Sequence, residues 1–262
     1  MLDVRVGCSE RHVVAKPCRL HDERKRAVPL KEYKGNLFNS RAQTLVNTVN
    51  CVGVMGKGVA LEFRRRFPEM FDEYQRVCQR RVLRPGQLML YKASCPWILN
   101  MAVKDDWKQP SSIVWVRSCL EQFIASYSTD GITSIAFPWI GAMNGGLPWP
   151  QVHGLMRQYL GQLRDIDIEI VEFDPSAADP LFERIRGAAR SLPADDFARM
   201  AGIVSRSAAL VRSAILEECV PSLHELEAFP GIGRSTVERL YDCFRGADGP
   251  KVTVQASLFG DG

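Results

Sequence analysis

From Pro29 onward, apolar and polar positions fall into short runs of two alternating kinds. LKEYKGNLFN reads as a strand closing on a turn, and TLVNTVN as a short buried strand with polar ends. VALEFRRRFPEMFDEYQRVCQ has helical spacing, interrupted at Pro68. QLMLYKA and WILNMAV are apolar runs of strand length, separated by punctuation at residues 94–96. SIVWVRSCLEQFIASYS is an amphipathic helix that Pro110 and the paired serines start. SIAFPWI reads as a buried strand, PQVHGLMRQYLGQL as a helix and DIEIVEF as a last strand. Strands alternating with helices predict a three-layer α/β domain over residues 31–175, with a mixed or largely parallel central sheet.

The pattern changes after Asp174-Pro175. PSAADP reads as a linker, and the spacing from Leu181 to Phe244 is helical throughout, giving a small all-α module at residues 183–246. Residues 1–30 read as a polar leader, and residues 247–262 as a Gly-rich tail expected to be flexible. No internal repeat is evident.

Composition narrows the class. A chain of 262 residues with 46% hydrophobic and 24% charged residues has a soluble globular make-up. It contains no run of eighteen apolar residues to cross a membrane, and MLDVRVGCSERH lacks the apolar core of a secretory signal. The expected location is therefore the cytoplasm. A net charge of +4 is compatible with a polyanionic partner. The eight cysteines form no C-x-x-C pair, which suggests reduced thiols rather than a disulfide framework. Cys8, His12, Cys18 and His21 offer four zinc ligands, but the spacing matches no common finger. The expectation is a loosely packed leader without a metal.

The chemistry concentrates in two loops. In VNTVNCVGVMGKGVALEFRRRF, Gly53, Gly56 and Gly58 separate a strand-like run from a helix-like one. Bare backbone at such a junction can close N–H groups around an anion, so a phosphate-bearing ligand is expected. The spacing fits neither the dinucleotide fingerprint nor the P-loop. A second glycine-bearing loop, GAMNGGLPW, follows the SIAFPWI strand. Two such loops at the carboxyl edge of one sheet frame a cleft for an extended ligand. Lys57 reads equally as an anion contact or a solvated lysine. Arg64, Arg65 and Arg66 read as an exposed helix face, or as a track for a nucleic-acid backbone.

GNLF, VNTVNCVGVMGKGVALEFRRRFP, WILNMAVKDDW and FPWIGAMNGGLPW occur in that order, and together they resemble the macrodomain family, within it the DarG-type DNA ADP-ribosylglycohydrolase branch. The resemblance covers about residues 31–174. It implies binding of ADP-ribose, with Asn36 and Leu37 at the adenine end and Phe173 covering the adenine. It also implies that Asn50 bonds the distal ribose, walled by Gly53, Val54, Met55, Gly56, Lys57, Gly58 and Val59. Pro138, Ile140, Gly141, Ala142, Met143, Asn144, Gly145, Gly146 and Leu147 would wrap the diphosphate. On residue chemistry alone, Asn36 reads equally as a turn cap, Asn47 is better read as a buried structural hydrogen-bonder, and Phe173 reads equally as a core aromatic.

The resemblance also makes Lys104 the catalytic residue. Its amine would attack the anomeric carbon of the distal ribose, giving an opened-ring adduct that water resolves. Residue chemistry alone favours a surface lysine paired with Asp105 or Asp106. Glycine at position 145, where the branch acting on protein carboxylates has aspartate, points to ADP-ribosylated single-stranded DNA as substrate. The same branch implies a DarT-like toxin as partner and no cofactor. The alternatives are a non-catalytic ADP-ribose reader and a protein ADP-ribosylhydrolase. Near the C-terminus, LHELEAFPGIGRSTVERLYDCF has helix-hairpin-helix form, with Gly231, Ile232, Gly233 and Arg234 expected on a DNA phosphate or serving only as a tight turn. Gln255, Ala256, Ser257, Leu258 and Phe259 resemble a peptide that docks on the bacterial sliding clamp.

Overall fold

The computed structural model describes residues 30–246. The four candidate zinc ligands and the clamp-like peptide lie outside the described residues. Six strands form one sheet: β1 (Leu30–Gly35), β2 (Thr44–Val49), β3 (Leu88–Tyr91), β4 (Trp97–Ala102), β5 (Ser134–Pro138) and β6 (Asp167–Phe173). Their order is β1-β6-β5-β2-β4-β3, with every pair parallel except β3 against β4. Helices α1 (Gly58–Arg66), α2 (Pro68–Gln79), α3 (Ile113–Ser126) and α4 (Trp149–Leu160) connect them.

Helices cover both faces, which is why the central strands read as unbroken apolar runs. On β2, Leu45 and Val49 pack with Phe63, Met70 and Tyr74 of α1 and α2. Val46 turns to the other face, with Val116 and Phe123 of α3 and Val152 of α4. One polar pair is buried in this sheet. Asn47 and Asn100 stand opposite each other on β2 and β4, and Asn47 Nδ2 donates to Asn100 Oδ1 at 2.9 Å. Asn47 is thus a structural residue.

The remaining chain forms α5 (Pro180–Ser191), α6 (Ala194–Ala201), α7 (Ser205–Leu216), α8 (Leu223–Ala228) and α9 (Arg234–Phe244) around a core of their own. Helix α5 starts ahead of residue 183 because Asp179 caps it, accepting the Leu181 N–H at 2.9 Å. An internal repeat emerges here that the sequence pattern did not reveal. Gly202 and Gly231 both adopt positive φ, at 63° and 85°, and each is followed by isoleucine. Val204 and Gly233 then open α7 and α9 with nearly the same backbone, φ −70°, ψ 149° and φ −82°, ψ 158°. Phe197, Ala208 and Val211 are buried in the first unit as Leu226, Val237 and Leu240 are in the second.

The arginine triplet of α1 is not a solvated face, because it clamps this module to the sheet domain. Arg65, with its side chain only 2% exposed, bonds both carboxylate oxygens of Glu227 at 2.8 and 2.9 Å and reaches Glu238 at 3.1 Å. Its guanidinium also lies 5.0 Å from the centre of the Tyr241 ring. Arg66 pairs with Asp179 at 2.6 Å, and the Tyr241 hydroxyl donates to Glu62 at 2.5 Å. Arg64 completes the set on Glu238 at 3.3 Å. The Arg65–Glu227 pair is two-pronged and its guanidinium is desolvated, which makes it a strong, charge-assisted contact.

Candidate active site

The loops after β2 and β5, neighbours in the sheet, meet at its carboxyl edge, with the end of β4 on the other side of β2. Asn50 shapes the first loop. Its Oδ1 accepts the N–H groups of Val52 and Val54 at 3.0 and 3.2 Å, and its Nδ2 donates back to the Val54 carbonyl. The Tyr74 hydroxyl, which sequence reasoning missed, donates to the Asn50 carbonyl at 2.7 Å. Gly53 has φ 79° and lies against Cys78 and Gln75 of α2. A Cβ at Gly58 would sit 2.5 Å from Asn144 Nδ2, so the two loops approach here as closely as glycine allows.

Lys104 joins them. Its main-chain N–H reaches the Val49 carbonyl at 3.3 Å, and its Nζ donates to the Asn144 carbonyl at 2.8 Å. Burial lowers the pKa of this ammonium, and no carboxylate contributes to the shift. Neither neighbouring aspartate provides the expected pairing. Asp106 accepts the Lys108 N–H at 2.9 Å, and Asp105 uses its carbonyl to hold the Cys51 N–H at 2.9 Å. The Cys51 thiol is pushed up to about 12, by burial first and then by the nearby Cys78 and Asp105, so it is no thiolate at neutral pH.

The second loop folds around Ser111. The Ser111 N–H donates to the Gly145 carbonyl at 2.8 Å, and a Cβ on Gly145 would lie 2.7 Å from Ser111 Oγ. That direction is into the protein, away from the cleft side. The Ser111 hydroxyl is buried without a hydrogen-bond partner. Met143 is exposed and holds φ 49°, which a non-glycine residue adopts at a cost of about 1–3 kcal/mol. Gly141 and Gly146 carry the other positive φ angles of this loop, 63° and 75°.

Val54, Lys57, Gly58, Met143, Asn144 and Gly146 are exposed around this meeting point, and Gly56, Val59, Pro138 and Leu147 are half-buried. Leu37, Met55, Ile140 and Ala142 turn into the protein, which leaves their main chain for any ligand contact. At the β1–β6 end, Asn36 caps the turn at Leu37–Asn39, its Oδ1 accepting the Phe38 N–H at 3.0 Å. Phe173 stands beside it, in register with Gly35 and 51% exposed, so it is not a core aromatic. The sequence put no histidine near the loops, but His153 of α4 has its ring centre 5.1 Å from that of Trp149, the last residue of the second loop motif, and bonds Glu32 of β1 at 2.8 Å. His224, however, arrives from α8 with its ring centre 6.5 Å from that of Phe173 and the planes at 89°. Gly231 lies against α7, where its Cβ would meet Leu210 at 2.9 Å, and Arg234 pairs with Glu238 at 3.4 Å.

A family model described as the Macro domain matches residues 46–156. The chain is 37% identical over 147 residues to a DNA ADP-ribosyl glycohydrolase of Thermus aquaticus, covering 55% of this chain and 41% of that one. The chain therefore spans less than half the length of the curated relatives it matches. The solved macrodomain of Mycobacterium tuberculosis DarG superposes with a TM-score of 0.53 at 36% identity, over 54% of this chain and 96% of that one. Thermosipho africanus DarTG, solved in complex with ADP-ribose, gives a TM-score of 0.54 at 34% identity, over 61% of this chain and 45% of that one.

Proposed function

Because the chain belongs to the macrodomain family, we propose that its two glycine loops bind ADP-ribose and that Lys104 cleaves this group from DNA bases. The observation that carries the reading is the position of Lys104, with its amine at the junction of both loops, partly desolvated and free of a carboxylate partner. The names of the relatives favour DNA as substrate, and a DarT-type toxin as the source of the modification.

The neutral amine of Lys104 forms a C–N bond to the anomeric carbon of the distal ribose as the glycosidic bond to the base breaks. The base leaves with that electron pair and takes up the proton that the lysyl nitrogen sheds. The ribose ring opens to an imine on Lys104, and water adds across it, returning the amine and releasing ADP-ribose. The Asn144 carbonyl holds the amine before substrate arrives. Asn50 keeps the first loop in shape, and one hydrogen of its carboxamide remains for a ribose hydroxyl. In the second loop the N–H groups of Gly145, Gly146 and Leu147 are taken by carbonyls of the loop itself, so those of Ala142, Met143 and Asn144 are left to meet the charge of the diphosphate.

The helical module fits a role in holding DNA. Gly231, Ile232, Gly233 and Arg234 form one hairpin, and the repeat unit at Gly202, Ile203 and Val204 supplies the second copy that such elements work with. Both hairpins open helices without a side-chain cap, leaving N–H groups for phosphate oxygens. The reading is tested with the Lys104→Ala variant. ADP-ribose binding persists, because the loops supply the affinity, while release from ADP-ribosylated single-stranded DNA is abolished. Full activity in the variant rejects Lys104 as nucleophile.

A further inference from the structure

The contact between Phe173 and His224 crosses from the sheet domain to the helical module. Phe173 ends β6 with half its surface open, beside the Asn36 turn that ends β1. His224 is also exposed, and the two rings stand perpendicular to each other, forming an open corner. A planar base stacked on one ring meets the other edge-on. Aromatic rings meeting in this way suit a purine, which has a π-face for stacking and hydrogen-bonding groups along its edge.

The position of His224 is not left to a loose tether. Glu227 lies one turn further along α8 and is gripped through both carboxylate oxygens by Arg65 of α1. Helix α1 in turn begins at Gly58, the last glycine of the first loop. One clamp therefore ties α8, and the imidazole it carries, to the element that shapes the cleft. Across the same seam, Asn39 of the turn after β1 donates to the Ala178 carbonyl just ahead of α5.

We propose that the adenine subsite is composite, with Phe173 supplied by the sheet domain and His224 by the helical module. This rests on the ADP-ribose reading above and extends it: the module takes part in nucleotide recognition as well as in holding DNA. His224 is here a specificity residue for the purine, remote from the bond that Lys104 breaks.

The test is a set of NMR titrations of the full chain with ADP-ribose and with ribose 5-phosphate, which lacks the base. His224→Ala weakens ADP-ribose binding by about tenfold, the scale of one lost base–aromatic contact, and leaves ribose 5-phosphate unaffected. His224→Phe restores most of the loss by returning a ring. Unchanged ADP-ribose affinity in His224→Ala overturns the proposal, as does an equal loss for both ligands, which marks a structural effect. Failure of the unsubstituted chain to bind ADP-ribose overturns the underlying reading together with this one, so the two failures are told apart.

Discussion

Under the proposed mechanism, Lys104 acts through a proton it must not hold. Burial lowers its pKa, so the neutral amine is reached at a lower pH than for an ordinary lysine. The single-turnover rate is expected to rise with pH and level off below the usual lysine range. Lys104→Arg, which keeps the charge but cannot deprotonate, is expected to show no such limb and no release. Gly145 illustrates a second residue-scale point, since its missing side chain makes room for Ser111. Gly145→Ala should cost about 1–3 kcal/mol in overpacking and weaken ADP-ribose binding, because the loop must move. Adding Ser111→Gly should restore both. A double variant no better than the single one, measured by thermal unfolding and ligand titration, removes Ser111 from the account. Of these residues, Lys104 and the glycines were legible from the family motifs. Ser111 and Tyr74 were not, because a serine before a helix and a tyrosine within one look ordinary until the loop they support is seen.

At the scale of elements, the strands and helices of residues 31–175 were readable because their signals are local: apolar period, proline, glycine. The role of α1 was not. Three successive arginines on a helix read as solvated, and their partners Glu227 and Glu238 lie far along the chain. The first hairpin escaped notice for a related reason. Only the positive-φ position demands glycine, so Ala201 and Val204 can replace the proline and second glycine seen in PGIG without changing the backbone. The clamp makes its own prediction. Arg65→Ala leaves Glu227 and Glu238 without their shared cation and should cost about 3 kcal/mol, at the low end for breaking a buried pair because both acids keep some exposure. The pH dependence follows from Glu227, whose pKa is lowered by the hydrogen bonds from Arg65, against burial and with the aid of nearby positive charge. Its contribution is present above the ordinary carboxylate pKa and lost as pH falls through the lower folded value. Thermal unfolding of the variant should therefore converge with that of the parent chain at acid pH. An unchanged melting temperature at neutral pH contradicts the clamp.

For the whole molecule, the two cores are separate but the surfaces between them are not. The sheet domain supplies the loops and Lys104, and the helical module is fastened to the helix that follows the first loop. Under the proposed function, that arrangement suits an enzyme whose small ligand is attached to a polymer: one part would grip the nucleotide while the other would stay in fixed relation to the strand. Among the described residues no helix is long and apolar enough to cross a membrane. The most direct measurement of the central claim is to incubate the unsubstituted chain with ADP-ribosylated single-stranded DNA and, separately, with ADP-ribosylated protein, and to follow free ADP-ribose. The account predicts release from the DNA, with the unmodified base restored, and little or none from the protein. Tight binding of the modified DNA without any release, or release from the protein alone, would contradict it.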